Sequence, residues 1–151
     1  MTIAISATAQ RKTLQSILDN KAFVVGFPSC AQVKEADYLG VESGYNTDKL
    51  KNIGFTTTDA KTVYAPVINE LLLSLECELV HTVTVGSHMQ LTGEVKNILA
   101  DESVLNNQNK ILLSNLQPII YDEEGRAYLG VGEKISDAFK LGVELKKSLN
   151  I

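Results

Sequence analysis

The chain has few cysteines and no long apolar run, and both absences limit what it can be. Its 151 residues include two cysteines, Cys30 and Cys77, which stand far apart and outside any Cys/His cluster. This spacing offers no zinc site, and two lone thiols favour a reducing compartment. No apolar run approaches the ~20 residues that cross a bilayer, and no signal peptide is visible. We therefore predict a cytoplasmic protein without membrane association or a metal site.

An excess of basic residues is also lacking. The chain has 14 Lys and Arg against 18 Asp and Glu, which gives a net charge of −4. Nucleic acids and anionic membranes need a basic footprint, so neither is predicted as a partner. Neither GxGxxG nor GxxxxGK[ST] follows a predicted strand, which removes the two commonest nucleotide-binding motifs. A small anionic ligand stays open, because it needs only a local basic pocket.

Length and composition are those of one globular domain. Apolar residues make up 44% of the chain and charged residues 21%, both ordinary values. A chain of this length buries roughly 70% of its unfolded surface, enough for a core of its own. We therefore expect a single domain over residues 1–151.

The clearest local pattern is a long hairpin. Between Leu71 and Leu79 apolar residues alternate with mostly polar ones, which is typical of a half-buried strand. After Gly86-Ser87-His88 the chain returns as a partner strand over 88–98. Strands that dominate the middle, with short helices around them, favour an antiparallel barrel over a βαβ fold. The other predicted strands are 1–6, 22–27, 118–121 and 127–131, and the predicted helices are 11–20, 31–39, 48–53 and 134–149.

Two segments carry candidate anion-binding residues. Arg11, Lys12 and Thr13 begin the helix predicted over 11–20, for which Thr8 or Thr13 is the candidate cap. A helix N-terminus offers free N–H groups and a positive dipole end, and the two cations and the hydroxyl complete a phosphate site. The alternative is a capped surface helix with solvated charges.

The second segment is SGYNTDKL at 43–50. Ser43-Gly44 makes a turn, Asn46 or Thr47 can cap the following helix, and Lys49 lies in its first turn. A lysine near the positive end of a helix is unfavourable unless an anion is present. The alternative is a surface turn with a solvated lysine.

Two histidines and a thiol complete the candidates. His88 follows Gly86-Ser87 at a strand junction, where a ligand can approach closely, although a histidine in a turn is more often a surface residue. His81 lies within a strand and is interpreted as structural. Cys77 alternates with inward-facing apolar residues, which predicts a buried core thiol.

Seven segments are informative when taken in order. They are RKTLQSILDNKAFVVGFPS, ADYLGVESGYNTDKLKNIGF, Ala65-Pro66, LECELV, VGSHMQLTGEV, the PIIYD–RAYLG hairpin and DAFKLG. Together they resemble the flavin reductase-like, FMN-binding split-barrel family, and the resemblance runs through most of residues 3–142. It implies a mainly β fold, an antiparallel six-stranded split barrel with short peripheral helices, acting as a homodimer with flavin at the subunit interface. It also implies that the opening strands of that barrel are missing before the strand that begins here at Ile3.

The same resemblance implies a function. Members bind FMN, some relatives use FAD, and many pass hydride from NAD(P)H to the flavin. No catalytic side chain is expected, because hydride passes directly between the two cofactor rings. Where the reductases carry Gly-Asp-His, this chain has Ser87 in place of the Asp, which puts nicotinamide use in question. The cofactor-binding residues implied are Arg11, Thr13, Ser29, Ser43 and Lys49, with His88 on the nicotinamide side.

Two other functions stay open from the sequence. One is a split-barrel flavin-binding or interaction protein that has lost reductase activity. The other is an ordinary small β-barrel without a cofactor, in which the motifs are only structural.

Overall fold

The computed structural model describes residues 1–149, which form eight strands and five short α-helices. Two short 3₁₀ helices, Cys30–Gln32 and Glu102–Val104, supplement them. The strands are β1 (Thr2–Thr8), β2 (Ala22–Gly26), β3 (Thr57–Asp59), β4 (Pro66–Ile68), β5 (Leu73–Val85), β6 (His88–Ala100), β7 (Ile119–Asp122) and β8 (Ala127–Gly130). The helices are α1 (Lys12–Asn20), α2 (Val33–Val41), α3 (Lys49–Asn52), α4 (Leu113–Leu116) and α5 (Lys140–Ser148).

All strand pairs are antiparallel. The main sheet has the order β1-β6-β5-β2, and β3–β4 and β7–β8 form two separate hairpins. The predicted mainly β, antiparallel split-barrel fold with peripheral helices is confirmed, with its strands divided among one four-stranded sheet and two hairpins. No helix among residues 1–149 is both long and apolar enough to span a membrane.

The long hairpin turns where the sequence predicts. Val85 is the last residue of β5 to pair, with His88 of β6, so Gly86 and Ser87 form a two-residue loop. Gly86 has a φ of +58°, a conformation that glycine adopts at little cost and that such tight loops require. The β7–β8 hairpin is likewise confirmed.

One core packs α1 against the inner face of the main sheet. Leu14 and Ile17 of α1 are buried, because their spacing of three residues puts them on one face of the helix. They belong to a cluster that also includes Cys77, whose burial confirms the predicted core thiol and raises its pKa. A smaller cluster lies at the start of β5. The sheet residues of the main cluster are Phe23, Leu75, Cys77 and Leu91, and the smaller cluster holds Leu73, Val104 and Leu116.

The prediction of a half-buried strand is wrong for the first part of β5. Residues 73–77 are buried without alternation, and the Glu76 side chain is fully buried. The Glu76 carboxylate accepts hydrogen bonds from the Lys61 N–H (3.1 Å), the Thr62 N–H (2.9 Å) and the Thr62 hydroxyl (2.5 Å). The segment before β4 therefore covers the face that alternation assigns to solvent. A buried carboxylate is tolerated here because it is hydrogen-bonded.

Glu76 makes the stability of the fold depend on pH. Burial pushes the pKa of Glu76 upward, but the hydrogen bonds from Thr62, Lys61 and Asn97 outweigh it, so the pKa lies below the ordinary 4.5. A carboxyl whose pKa is lowered on folding contributes stability above its unfolded pKa, and this is lost as pH falls through the folded pKa. We expect the free energy of unfolding to fall on acidification, and Glu76→Gln to reduce that fall.

Urea unfolding between about pH 7 and about pH 3 measures this dependence. Glu123→Gln is the matched control, because Glu123 is exposed in the β7–β8 turn. Other carboxylates also contribute to the dependence of the unfolding free energy on pH in every variant. The informative comparison is therefore between the Glu76→Gln and Glu123→Gln variants. Equal acid slopes for Glu76→Gln and Glu123→Gln would contradict the assignment.

The ends of two helices differ from prediction. Neither Thr8 nor Thr13 caps α1; its N-cap is Arg11, which makes no side-chain capping hydrogen bond. The helix predicted over 134–149 begins only at Lys140 and runs unbroken through Gly142. Phe139 has a φ of +67°, so the backbone before Lys140 is left-handed and cannot continue a right-handed helix.

Candidate functional site

A cleft of about 770 Å³ opens between α1, β2, the segment 43–50 and β4. Its size falls in the range of small-molecule sites, ~300–1,000 Å³. Its lining divides into two chemically different parts. Polar and cationic residues come from α1 and from 43–50, which also contributes the Asp48 carboxylate, and mainly apolar residues come from β2 and β4.

The N-terminus of α1 faces this cleft with its first amides open. Arg11, Lys12 and Thr13 line the cleft. The Arg11 carbonyl accepts the Leu14 N–H (3.1 Å), but no side chain of residues 1–149 caps the helix and its first turn has no acidic residue. Uncapped N–H groups at a helix N-terminus attract an anion.

The segment from Glu42 to Asp48 is held by its own hydrogen bonds. The Glu42 carboxylate accepts the Ser43 N–H (2.7 Å) and the Asn46 side-chain amide (3.3 Å). The Asn46 N–H donates to the Ser43 carbonyl (3.0 Å), and the Tyr45 N–H donates to the Ser43 hydroxyl (3.3 Å). These bonds fix the turn that carries Ser43 and Tyr45 into the cleft.

Asp48 caps α3, whereas the sequence predicts Asn46 or Thr47. Its carboxylate accepts the Lys51 N–H (3.2 Å). Asp48 directly precedes the first helical residue, and a capping side chain must occupy that position to reach the amides of the first turn. The cap orients α3 so that Lys49 lines the cleft.

Lys12 and Lys49 converge on Gly44. A Cβ at Gly44 would lie 3.4 Å from Cδ of Lys12 and 3.9 Å from Cε of Lys49. Burial lowers the pKa of Lys49, and the positive charge of Arg11 lowers it further, while Glu42 opposes both. The Lys49 ammonium donates to the Leu39 carbonyl (2.5 Å), which fixes its position. Arg11, Lys12 and Lys49 thus form one cationic cluster.

No ion pair within residues 1–149 involves this cationic cluster, and the carboxylates of Glu42 and Asp48 offset only part of its charge. Within residues 1–149, salt bridges involve only Lys96 and Lys134 as cations. Positive charges gathered in one place repel one another, an anion relieves that repulsion, and an open cleft gives an anion access. The geometry therefore supports a site for a phosphate or another compact anion.

An apolar wall completes the cleft. β2 contacts β4 and contributes Ala22 and Val24, while the β4 region contributes Ala65, Pro66 and Ile68. An apolar wall next to a cationic cluster suits a ligand that joins a planar apolar group to a phosphate.

The structure brings four of the six predicted site residues together, because Arg11, Thr13, Ser43 and Lys49 all line this cleft. Ser29 does not line it. The Ser29 hydroxyl donates to the Gln32 side-chain oxygen (3.2 Å) at the start of a 3₁₀ helix.

His88 also lies elsewhere. Its Nδ1 is 3.0 Å from the Ser87 hydroxyl, in the loop of the long hairpin. It lines a second cleft of about 430 Å³ between β1 and the end of the hairpin, together with Ala4, Ile5, Ser6, Val85 and Gln90.

Sequence reasoning missed three parts of the main cleft. Ser16 lies three residues after Thr13 and so shares its helix face, a spacing that could have identified it. Tyr45 lies between two predicted residues and carries no separate signal. The wall residues Ala65-Pro66 enter the sequence prediction only as a resembling segment, and β4, the three-residue strand that helps to build the wall, is not predicted. Residues 1–149 hold no cluster of three or more His, Cys, Asp or Glu side chains fit for a metal.

Comparisons with known proteins identify one family and several similar structures. Residues 1–130 match the family described as flavin reductase like domain. A flavoredoxin of Desulfovibrio vulgaris (Miyazaki F) is 33% identical and superimposes with a TM-score of 0.89 over 93% of this chain and 75% of its own. A flavoredoxin from Methanosarcina acetivorans is 28% identical, with a TM-score of 0.88 over 95% of this chain and 76% of its own.

A curated relative is also similar. An uncharacterized protein of Pyrococcus abyssi (strain GE5 / Orsay) is 29% identical over 93 residues, which are 62% of this chain and 53% of that protein. The chain spans little more than half the length of the curated relatives it matches.

Proposed function

The chain belongs to the flavin reductase like domain family, and on this premise we propose that it binds FMN and transfers hydride between NAD(P)H and the flavin. The observation that carries the proposal is the cationic cluster at the open N-terminus of α1, beside the apolar wall. We propose one functional domain over residues 1–151, acting in the cytoplasm.

The residues of the cleft fit FMN in charge and in shape. A phosphate monoester carries about −1.5 to −2 charge near pH 7 and three acceptor oxygens. The Arg11 guanidinium can bind two of these oxygens at once, and Lys12 and Lys49 add point charges. The hydroxyls of Thr13 and Ser43 add neutral donors. The apolar wall would cover one face of the isoalloxazine ring.

The protein's part in the reaction is binding and orientation. The flavin supplies the redox chemistry when bound, since it accepts hydride from a nicotinamide and passes electrons on. The cationic cluster holds the phosphate end, and the fixed turn at Ser43 limits where that end can lie. The apolar wall keeps water from the ring. We assign no acid or base to any side chain, because hydride transfer needs none.

We propose that His88 acts on the nicotinamide side from a second copy of the chain, because within one chain it lines a different cleft from the proposed flavin site. A change at His88 therefore leaves the phosphate site of its own chain intact. We expect His88→Ala to raise KM for NAD(P)H about tenfold, as the loss of one ligand hydrogen bond does, and to leave the Kd for FMN within about twofold. Steady-state kinetics and flavin titration measure the two constants. His81→Ala, an exposed histidine of β5, is the matched control. A weakened FMN affinity in His88→Ala alone would place His88 with the flavin instead.

The visible spectrum of the purified chain, with and without added FMN, tests the proposal. Bound flavin with a shifted absorption band, together with NAD(P)H oxidation above the rate of free FMN, is the expected result. A colourless protein that does not bind added FMN would overturn the proposal.

Ser87 favours a second candidate function, a flavin-binding protein without reductase activity. The hairpin turn has Ser87 at the position where reductases of the resembling family carry Asp. The Ser87 hydroxyl lies next to Nδ1 of His88. FMN binding without NAD(P)H oxidation above background would support this candidate. Ser87→Asp is then the variant in which turnover should rise.

We also propose that a second copy of the chain is the partner. The outer end of the long hairpin exposes Val80, Val83 and Val85, and contiguous exposed apolar side chains are typical of an interface. Sedimentation equilibrium at micromolar concentration checks this, and a stable monomer would contradict it.

A further inference from the structure

We propose that Tyr45 forms a subsite for the adenine ring of a dinucleotide, beside the cationic cluster. The ligand class is an adenine dinucleotide, either FAD or NAD(P)H. The inference rests on the proposed function, because it takes the cationic cluster as the phosphate site.

Tyr45 is an aromatic side chain that lies open in the cleft. It is 61% exposed, whereas Phe23, which also lines the cleft, is 4% exposed and packs in the core. The exposed face of an aromatic ring has a π-surface on which any planar base can stack. Phe23 cannot offer this face, because the sheet covers it.

The turn around Tyr45 is ordered before any ligand arrives. Tyr45 donates its N–H to the Ser43 hydroxyl, and Asn46, the next residue, is bonded to both Glu42 and Ser43. A tyrosine has only two side-chain torsions to fix, so a tyrosine on a rigid turn loses little entropy when a ring stacks on it.

The position of Tyr45 along the cleft selects the adenine end of the ligand. Its neighbour Gly44 lies against Lys12 and Lys49, so Tyr45 is one residue from the cationic cluster. The apolar wall comes from other elements, β2 and β4. With the isoalloxazine on the wall and its phosphate on the cluster, Tyr45 would be next to the phosphate on an element other than the wall, where it could contact the part of a ligand that extends beyond the phosphate. FMN ends there, whereas a dinucleotide continues through a second phosphate and a ribose to adenine.

The test compares FMN and FAD on Tyr45→Leu, Tyr45→Phe and wild type by titration of flavin fluorescence. We expect Tyr45→Leu to weaken FAD about tenfold, the loss typical of one base stacked on an aromatic ring, and to leave FMN within about twofold. Tyr45→Phe keeps the ring and should retain FAD affinity. Tyr64→Leu is the matched control, because Tyr64 is 81% exposed and lies outside the cleft lining.

The KM for NAD(P)H, measured on the same variants, shows which dinucleotide places its adenine at Tyr45. A change in FAD affinity assigns the subsite to the flavin dinucleotide, and a change in KM alone assigns it to the nicotinamide dinucleotide. Equal loss of FMN and FAD, or no change in either FAD affinity or KM, overturns the subsite. A wild-type chain that binds neither flavin overturns the proposed function instead, so the two failures are distinct.

Discussion

Arg11→Glu combined with Lys49→Glu is expected to weaken FMN binding by about a thousandfold. Each charge-assisted hydrogen bond to a phosphate contributes ~1.5–3 kcal/mol, so losing two of them costs between about a hundredfold and about ten-thousandfold. The introduced carboxylates add repulsion to the phosphate. Both side chains line the cleft, and the charge of Arg11 is close enough to lower the pKa of Lys49.

Flavin titration and thermal unfolding of the same samples separate binding from folding. Lys51→Glu is the matched control, because Lys51 is on the same helix as Lys49 but does not line the cleft. It should bind FMN as wild type does. Since the Lys49 ammonium bonds the Leu39 carbonyl, Lys49→Gln and Arg11→Gln provide milder single changes, each expected to cost about tenfold or more. If the double charge reversal bound FMN with wild-type affinity, the assignment of the cationic cluster as the phosphate site would be wrong.

Several features of this site could be predicted from local sequence. Arg11 and Thr13 come at the start of a helix whose apolar spacing is plain at Leu14 and Ile17, so their place at an N-terminus follows from periodicity. Ser43 and Lys49 belong to a turn and a helix start that the residue types themselves specify. The Gly86-Ser87-His88 turn between two predicted strands predicts the long hairpin, although the alternation in the first of those strands does not match its burial.

The features that failed depend on contacts between distant segments. Glu76 has the sequence pattern of a solvent-facing residue in an alternating strand, and only the approach of Lys61 and Thr62 accounts for its burial. β3 and β4 have three residues each, too few for any periodicity to show. Part of the apolar wall is built on β4. Local sequence patterns therefore predict the charged residues of the cleft but not its shape.

Gly93→Ala is expected to lower the free energy of unfolding by ~1–3 kcal/mol, the usual cost of overpacking a core. A Cβ at Gly93 would lie 2.5 Å from Cζ and 2.8 Å from Cε1 of Phe23, and 3.0 Å from Cβ of Cys77. Phe23 pairs with Cys77 across β2 and β5, so its ring reaches over β5 onto β6. The buried ring cannot move aside without opening the core.

Gly40→Ala is the control, since it makes the same change in α2 where a Cβ meets nothing within 4 Å. There the loss of backbone entropy in the unfolded chain should raise stability by ~0.5–1 kcal/mol, so the two alanines are expected to act in opposite directions. Urea unfolding measures both.

Combining Gly93→Ala with Phe23→Leu tests the cause. Leucine lacks the ring atoms that the new methyl group meets, so the double variant should be more stable than the sum of the two single changes by ~1 kcal/mol or more. Additive effects would show that the methyl group is accommodated by some other movement.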